Sequence, residues 1–244
     1  MSEEERQRVI RQKLARMECR SGDAISTGFP RLDAALGAGG LPRGLIVEIF
    51  GPSSSGKTTL GLQIVAHLQE SGLSAAWMDA DHGFDAGYAA RLAVNLDKLP
   101  IVQPESAEEA LEIARQLAVS GAIDLLVLDP VAALVPRMEL ETALGDSSPG
   151  MQARVLSSGL RKLSASVARS GMAVLFLNQI RSGGAEGEVS AGGPGLKLYS
   201  AVRMLMEPAG RAGVHFRMIK NKVAQPFVEG ELQWGAAVGF AKSL

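Results

Sequence analysis

The run GPSSSGKT, Gly51–Thr58, constrains the fold of this 244-residue chain more than any other feature. It matches G-x-x-x-x-G-K-[ST], and it lies between an apolar run, Leu45–Phe50 (LIVEIF), and a helix-forming stretch, Lys57–Glu70. A strand that passes through a glycine turn into a helix is the first half of a β–α unit. The glycines let backbone N–H groups turn inward around phosphate oxygens, and the start of the helix adds its positive end. Lys57 then supplies a charge for the β/γ phosphates of a nucleotide, and Thr58 a hydroxyl for Mg²⁺. A magnesium nucleotide site also needs an acid on a nearby strand. Asp129, at the end of LLVLD, is placed for that role, and Pro130 biases it to the extended geometry of a strand terminus.

The rest of the chain keeps the same rhythm. Ser74–Asp79, Pro100–Gln103, Ile123–Asp129 and Met172–Asn178 read as short apolar strands. Helices are expected around Ala86–Leu96, over Ser106–Ser120 with a Ser106/Glu109 capping box, and over Met151–Ser170. Continuous apolar strands alternating with helices imply an α/β fold with a mainly parallel twisted sheet flanked by helices. The tail changes character: Ala201–Met206, Val214–Lys220 and Glu231–Trp234 read as strands joined by tight turns, so the sheet is expected to end antiparallel. Residues 1–22 read as an N-terminal helix and a short linker, and residues 23–244 as one core domain. The helix carries a narrow stripe, Ile10, Leu14 and Met17, that suits either a surface helix or an arm docking on a neighbouring protomer. Ser182–Gly195, with six glycines, is the one low-complexity segment.

Composition narrows the function classes. With 46% apolar and 21% charged residues the chain is globular rather than disordered. A single cysteine, Cys19, excludes a disulfide framework and a cysteine-based zinc site. His67, His82 and His215 have no ligand spacing. No secretory signal or membrane-spanning run is evident, since Ile123–Val135 is broken by Asp129 and Pro130, so a cytoplasmic protein is expected. The net charge of −1 argues against nucleic acid only as a total. Residues 1–149 carry 13 basic and 21 acidic side chains, whereas residues 150–244 carry 12 basic and 5 acidic ones. A basic face is therefore expected in the second part of the chain.

Seven segments in order, GLPRGLIVEIFGPSSSGKTTL, DADHGFDAGYAARL, SGAIDLLVLDPVAALVP, GDSSPGMQAR, LNQIR, GGPGLK and KNKVAQPF, resemble the bacterial RecA recombinase family from about Ile25 to Trp234. The resemblance implies a P-loop NTPase core that binds ATP and Mg²⁺ between protomers and self-associates into an oligomer or filament on single-stranded DNA. On that basis Gly51, Ser54, Ser55, Gly56, Lys57, Thr58 and Thr59 hold phosphates, and Asp85 and Tyr88 contact the adenine. Thr58 and Asp129 hold the metal. Asn178 and Gln179 sense the γ-phosphate, and Lys220 and Lys222 reach ATP across a protomer interface. Two segments resemble DNA-binding loops. The first is Gly145–Gly150 with Arg154, Ser157 and Arg161 on the following helix, the two arginines seven apart on one face. The second is Arg181–Gly195, including Gly192 and Gly193, whose amides have room to approach phosphates.

The chain departs from the family pattern at several points. The water-activating position, usually glutamate, is Asp81, which implies normal ATP binding with slow DNA-dependent hydrolysis. Glu186 and Glu188 put acids in the second loop, which is shorter than the family's and has no aromatic residue. Ser148 and Pro149 replace a histidine and a methionine, and Pro194 an asparagine. The linker before Ile25 is short, and the chain stops soon after Trp234, so the expectation is a core without the family's C-terminal domain. That brevity also suits RecA-derived, ImuA-like accessory proteins, which act through error-prone polymerase partners in lesion bypass. A helicase-like or clock-type ATPase shares the cradle but is not expected to combine GLPRG, GDSSPG and NQIR.

Overall fold

A computed structural model describes residues 24–143, 150–182, 188–236 and 238–242. The expected N-terminal helix with Cys19, the domain boundary near residue 22, residues 145–149 of the first loop and Glu186 lie outside the described residues, as do the side chains of Arg181 and Glu188.

The apolar strands assemble as their patterning requires. In chain order the strands are β1 (Ala24–Ile25), β2 (Leu41–Pro42), β3 (Ile46–Gly51), β4 (Ala75–Asp79), β5 (Ile101–Val102), β6 (Leu125–Asp129), β7 (Ala173–Ser182), β8 (Glu188–Ser190), β9 (Val202–Ala209), β10 (Gly213–Asn221) and β11 (Glu229–Gln233). The helices are α1 (Pro30–Leu36), α2 (Lys57–Glu70), α3 (Ala86–Arg91), α4 (Ala107–Ser120), α5 (Arg137–Glu141), α6 (Met151–Ser170) and α7 (Gly193–Tyr199). The main sheet runs β11-β10-β9-β3-β7-β6-β4-β5, with β8 paired to β7 and a separate β1–β2 pair. From β9 to β5 its neighbours are parallel, and β10 and β11 close the other edge antiparallel. This is the α/β architecture expected from the sequence.

Alternation along each strand splits the core into two layers. Leu125 and Val127 of β6 join the layer containing α1 and α2, whereas Leu126 and Leu128 join the layer under α4 and α6. β3 is central and buried at every position, which places the P-loop at the carboxyl end of the sheet, where ligands of open α/β folds bind. Helix α2 is buried on nearly every side. Part of its cover is the chain end: Gln63 makes two hydrogen bonds to the Phe240 backbone, donating to its carbonyl (2.9 Å) and accepting from its N–H (2.7 Å). No helix of the described residues is long and apolar enough to cross a membrane.

Three local expectations needed correction. The helix expected over Ala86–Leu96 ends at Arg91, because Ala93 takes a left-handed φ of 67° and Leu96–Lys98 forms a separate 3₁₀ turn. The capping box at α4 is only half formed. Ser106 Oγ accepts from the Glu109 N–H (3.3 Å), but Glu109 reaches the Glu105 N–H (2.7 Å) instead of returning to Ser106. Arg181–Gly195 is not one continuous loop. β7 runs on to Ser182, β8 folds back antiparallel to it, and α7 starts within GGPGLK. Gly192 and Gly193 take left-handed φ values of 89° and 74°, Pro194 sits in the first turn of the helix, and a Cβ on Gly195 would come within 2.3 Å of Ser157 Oγ. Those glycines let α7 lie directly on α6.

Candidate nucleotide site and basic groove

The loop between β3 and α2 is a backbone nest. Ser54 and Gly56 both have left-handed φ, 61° and 83°, so successive N–H groups turn toward one concave face. Gly51 has no room for a side chain, since a Cβ there would stand 2.0 Å from the Met206 carbonyl oxygen. Lys57 is 7% exposed, and its ammonium donates to the Gly51 and Pro52 carbonyls (3.1 and 2.7 Å) and to Ser55 Oγ (3.2 Å). Burial holds its pKa below the usual lysine value, with the Asp129 carboxylate opposing that shift.

Thr58 Oγ1 donates to Asp129 Oδ2 at 2.6 Å, joining the first turn of α2 to the end of β6 across the intervening β7. A hydroxyl and a carboxylate beside a phosphate cradle are hard oxygen donors of the kind Mg²⁺ takes together with substrate phosphates, so the residues fit that ion. Burial, reinforced by the charges of Asp81 and Asp79, pushes the Asp129 carboxyl up to about 6, and the Thr58 hydrogen bond and Lys57 hold it back. Asp81 is also raised, first by burial and then by its contact with Asp79, while the Gly83 N–H opposes the shift.

These groups line one cavity of about 440 Å³ with Gln179, Asp85, Tyr88 and Trp234, a volume ordinary for a small-molecule site. Of the residues expected from the sequence, the structure thus brings Ser54, Ser55, Gly56, Lys57, Thr58, Thr59, Asp81, Asp85, Tyr88, Asp129 and Gln179 around one cavity, whereas Gly51 does not line it. Asp85 caps α3 by accepting from the Tyr88 N–H (2.8 Å), and the Tyr88 hydroxyl shares a hydrogen bond with Thr59 Oγ1 (2.8 Å). Two contributors were missed from the sequence. Asp79, 2% exposed, accepts from the N–H groups of Gly83 and Phe84 and from Gln103, and so shapes the turn that carries Asp81. Trp234 stacks on Phe240 at 4.1 Å, with both rings against Gly56. The only hint of its role was an aromatic residue near the end of a chain with two tryptophans.

The charge state of Asp129 has a measurable consequence. A carboxyl raised in the fold costs stability progressively as pH climbs from its unfolded value near 3.8 through about 6, and the full penalty applies above that. An asparagine in its place would keep an acceptor for Thr58 without the charge. Asp129→Asn should therefore stabilise the metal-free, nucleotide-free protein by about 1–2 kcal/mol at about pH 8, a gain that disappears by about pH 4. Urea denaturation at the two pH values measures it, and equal gains at both would refute the assignment.

A second cavity of about 1120 Å³ lies between α6, α7 and the β9–β10 pair. Arg154, Ser157 and Arg161 line it with Lys197, Arg203 and Lys220, and among the described residues no carboxylate does. This is the basic face anticipated from the charge distribution. Arg154 and Arg161 are exposed, whereas Gly192 is buried and a Cβ on Gly193 would meet Ala153. A bulge between Met218 and Lys220 shifts the register of β10. Lys220 Nζ donates to the Lys197 and Leu198 carbonyls (2.6 and 3.1 Å) at the end of α7. Burial lowers its pKa, and the neighbouring charges of Lys222 and Arg203 add to that. Lys220 and Lys222 flank Asn221, whose Oδ1 accepts from the N–H groups of Val223 and Ala224 and so forms the turn after β10. Neither lysine lines the cavity around Lys57. Among the described residues, no three His, Cys, Asp or Glu side chains form a metal-holding group.

The RecA N-terminal domain model matches residues 7–240. The chain belongs to the RecA family. Protein RecA of Blastochloris viridis is 51% identical over 237 residues, covering 91% of this chain and 68% of the relative. Protein RecA of Caulobacter sp. (strain K31) is 47% identical over 231 residues, 88% of this chain and 65% of the relative. Protein RecA of Chloroflexus aurantiacus is 48% identical over 233 residues, 90% of this chain and 66% of the relative. The chain thus spans about two thirds of the length of these RecA relatives, and the match covers both the P-loop cavity and the basic groove.

Proposed function

We propose that this RecA-family chain binds Mg-ATP in the P-loop cavity, binds single-stranded DNA, self-associates, and acts in DNA repair and recombination. The observation that carries this is the Thr58–Asp129 pair beside the buried Lys57, with a groove on the same chain lined by Arg154, Arg161, Lys197, Arg203 and Lys220. The N–H groups of residues 54–59 and the Lys57 ammonium hold the phosphates, and Tyr88, Asp85 and Trp234 surround the base. Thr58 and Asp129 would hold Mg²⁺, which when bound offsets phosphate charge. Asp81 orients the attacking water and takes its proton, and Gln179 reads the γ-phosphate. Lys220 and Lys222 act on the nucleotide of a neighbouring protomer, where a cation supplied in trans neutralises developing charge. The RecA relatives favour this reading over the accessory one with error-prone polymerase partners.

Arg154 and Arg161, seven apart on α6, are the main DNA-backbone contacts. The test is single-stranded DNA affinity measured by anisotropy across a salt series with a non-hydrolysable ATP analogue. Replacing both arginines with alanine should weaken binding and make the log–log salt slope shallower by about 1.4, at about 0.7 per phosphate contact. An unchanged slope would remove them from the interface.

Asp81 sets the turnover. Its carboxylate is one methylene shorter than the glutamate usual in the family, a retreat of about 1.5 Å, and a misplacement of about 1 Å can cost ~10²-fold. Asp81→Glu is therefore expected to raise DNA-stimulated phosphate release by up to about 10²-fold with little change in ATP affinity. Equal turnover in the two proteins would sink the idea.

A further inference from the structure

We infer that Glu48 and Arg203, a buried ion pair outside the nucleotide cavity, are positioning residues that join Gln179 to the β8–α7 junction. This rests on the nucleotide-site reading above and goes beyond it by assigning the connecting parts. Glu48 is fully buried in the middle of β3, and Arg203, 8% exposed, is its register partner on β9. Arg203 Nε donates to Glu48 Oε2, and Glu48 Oε1 accepts from Asn178 Nδ2 (2.8 Å). The same Asn178 amide donates to the Ala191 carbonyl (2.8 Å), and Asn178 Oδ1 accepts from the Gln179 N–H (2.9 Å). Arg203 Nη2 closes the circuit on Ser190 Oγ (2.9 Å), and its guanidinium lies 4.5 Å from the Phe50 ring centroid.

The result is a circuit of hydrogen bonds through β3, β7 and β9 that is closed by the Ser190–Ala191 backbone leading into α7. Gln179 lines the nucleotide cavity, and Gln179 O also accepts from the Ala191 N–H (3.0 Å). A shift of Gln179 toward a bound phosphate therefore pulls on Ala191 directly and on Asn178. Asn178 and Ser190 are held against the same rigid pair, so the junction moves as a unit. A buried ion pair is a poor source of net stability compared with apolar packing, but it fixes one geometry, which is the use made of it here. Arginine is required because its planar fork reaches Glu48 and Ser190 at once.

Hydrogen–deuterium exchange of the intact chain, with and without Mg-ATPγS, tests the inference. In the wild type, nucleotide should protect residues 51–60 and also residues 188–199. In Glu48→Met/Arg203→Met, which removes both buried charges together, protection at 51–60 should remain and that at 188–199 should be lost. If this variant does not fold, Arg203→Lys keeps the charge and loses the fork, with the same loss expected. Retention of the second protection in the variant, or its absence from the wild type, overturns the inference. Absence of protection at 51–60 in the wild type overturns the nucleotide-site reading itself, and the inference with it.

Discussion

Lys57→Ala is expected to weaken Mg-ATP binding about 10³-fold while leaving the nucleotide-free protein folded. The ammonium is buried against the Gly51 and Pro52 carbonyls and Ser55 Oγ. Burial disfavours its charged form, and the relief of that penalty offsets the loss of its bonds to two carbonyls and one hydroxyl. Bound phosphates would lose a desolvated, preorganised cation, and removing one such donor typically costs about 10²–10³-fold. Thermal melts separate the two effects. Ligand at about 100 times its dissociation constant stabilises the folded state by about 2.7 kcal/mol, so the wild type should melt higher with Mg-ATP, and the variant should melt at its nucleotide-free temperature with or without it. A preserved ATP-dependent rise in Lys57→Ala would contradict the cradle assignment.

The parts of the molecule readable from sequence are those whose signals are local. GPSSSGKT between LIVEIF and a helix carries its own geometry, so the cradle and the central strand could be placed without any long-range knowledge. The 3.6-residue periodicity of 151–170 gave α6 to its observed ends. The family resemblance added Asp81, Gln179 and Tyr88, which share no local pattern with the P-loop and meet it only through folding. The packing at the end of the second segment was not legible for a physical reason. A glycine-rich run signals open backbone only if nothing is packed against it. Here Ala153 and Ser157, some forty residues upstream, occupy the space that side chains would fill. Lys220 could be found as a cation in a turn, but not as the partner of the α7 carbonyls, because that contact depends on the bulge in β10.

The buried pair illustrates a signal that was present and unused. LIVEIF and AVRMLM each contain one charged residue inside an otherwise apolar strand. Burying one charge alone is prohibitive, so two such strands with opposite charges imply that the strands are neighbours. They are: β3 and β9 are paired in parallel with Glu48 opposite Arg203.

That arrangement makes Glu48→Ala the most damaging single substitution expected in this core. The change deletes the carboxylate that Arg203 and Asn178 share, leaving a guanidinium 8% exposed with Ser190 and the Phe50 ring as its remaining contacts. Removing one member of a buried pair typically costs about 3–5 kcal/mol, most of it the penalty of the stranded charge. For a domain with a total stability of about 5–15 kcal/mol, the folded population at physiological temperature is then at risk. The cost should belong to the stranded charge rather than to the lost cohesion of the pair, and a cycle separates the two. Glu48→Met/Arg203→Met should lie within about 1–2 kcal/mol of the wild type, whereas Glu48→Met and Arg203→Met alone each lose several. Urea midpoints of the four proteins at equal m-value decide it. A double variant as unstable as the single ones would mean that the pair contributes stability in its own right, beyond fixing the geometry around Asn178.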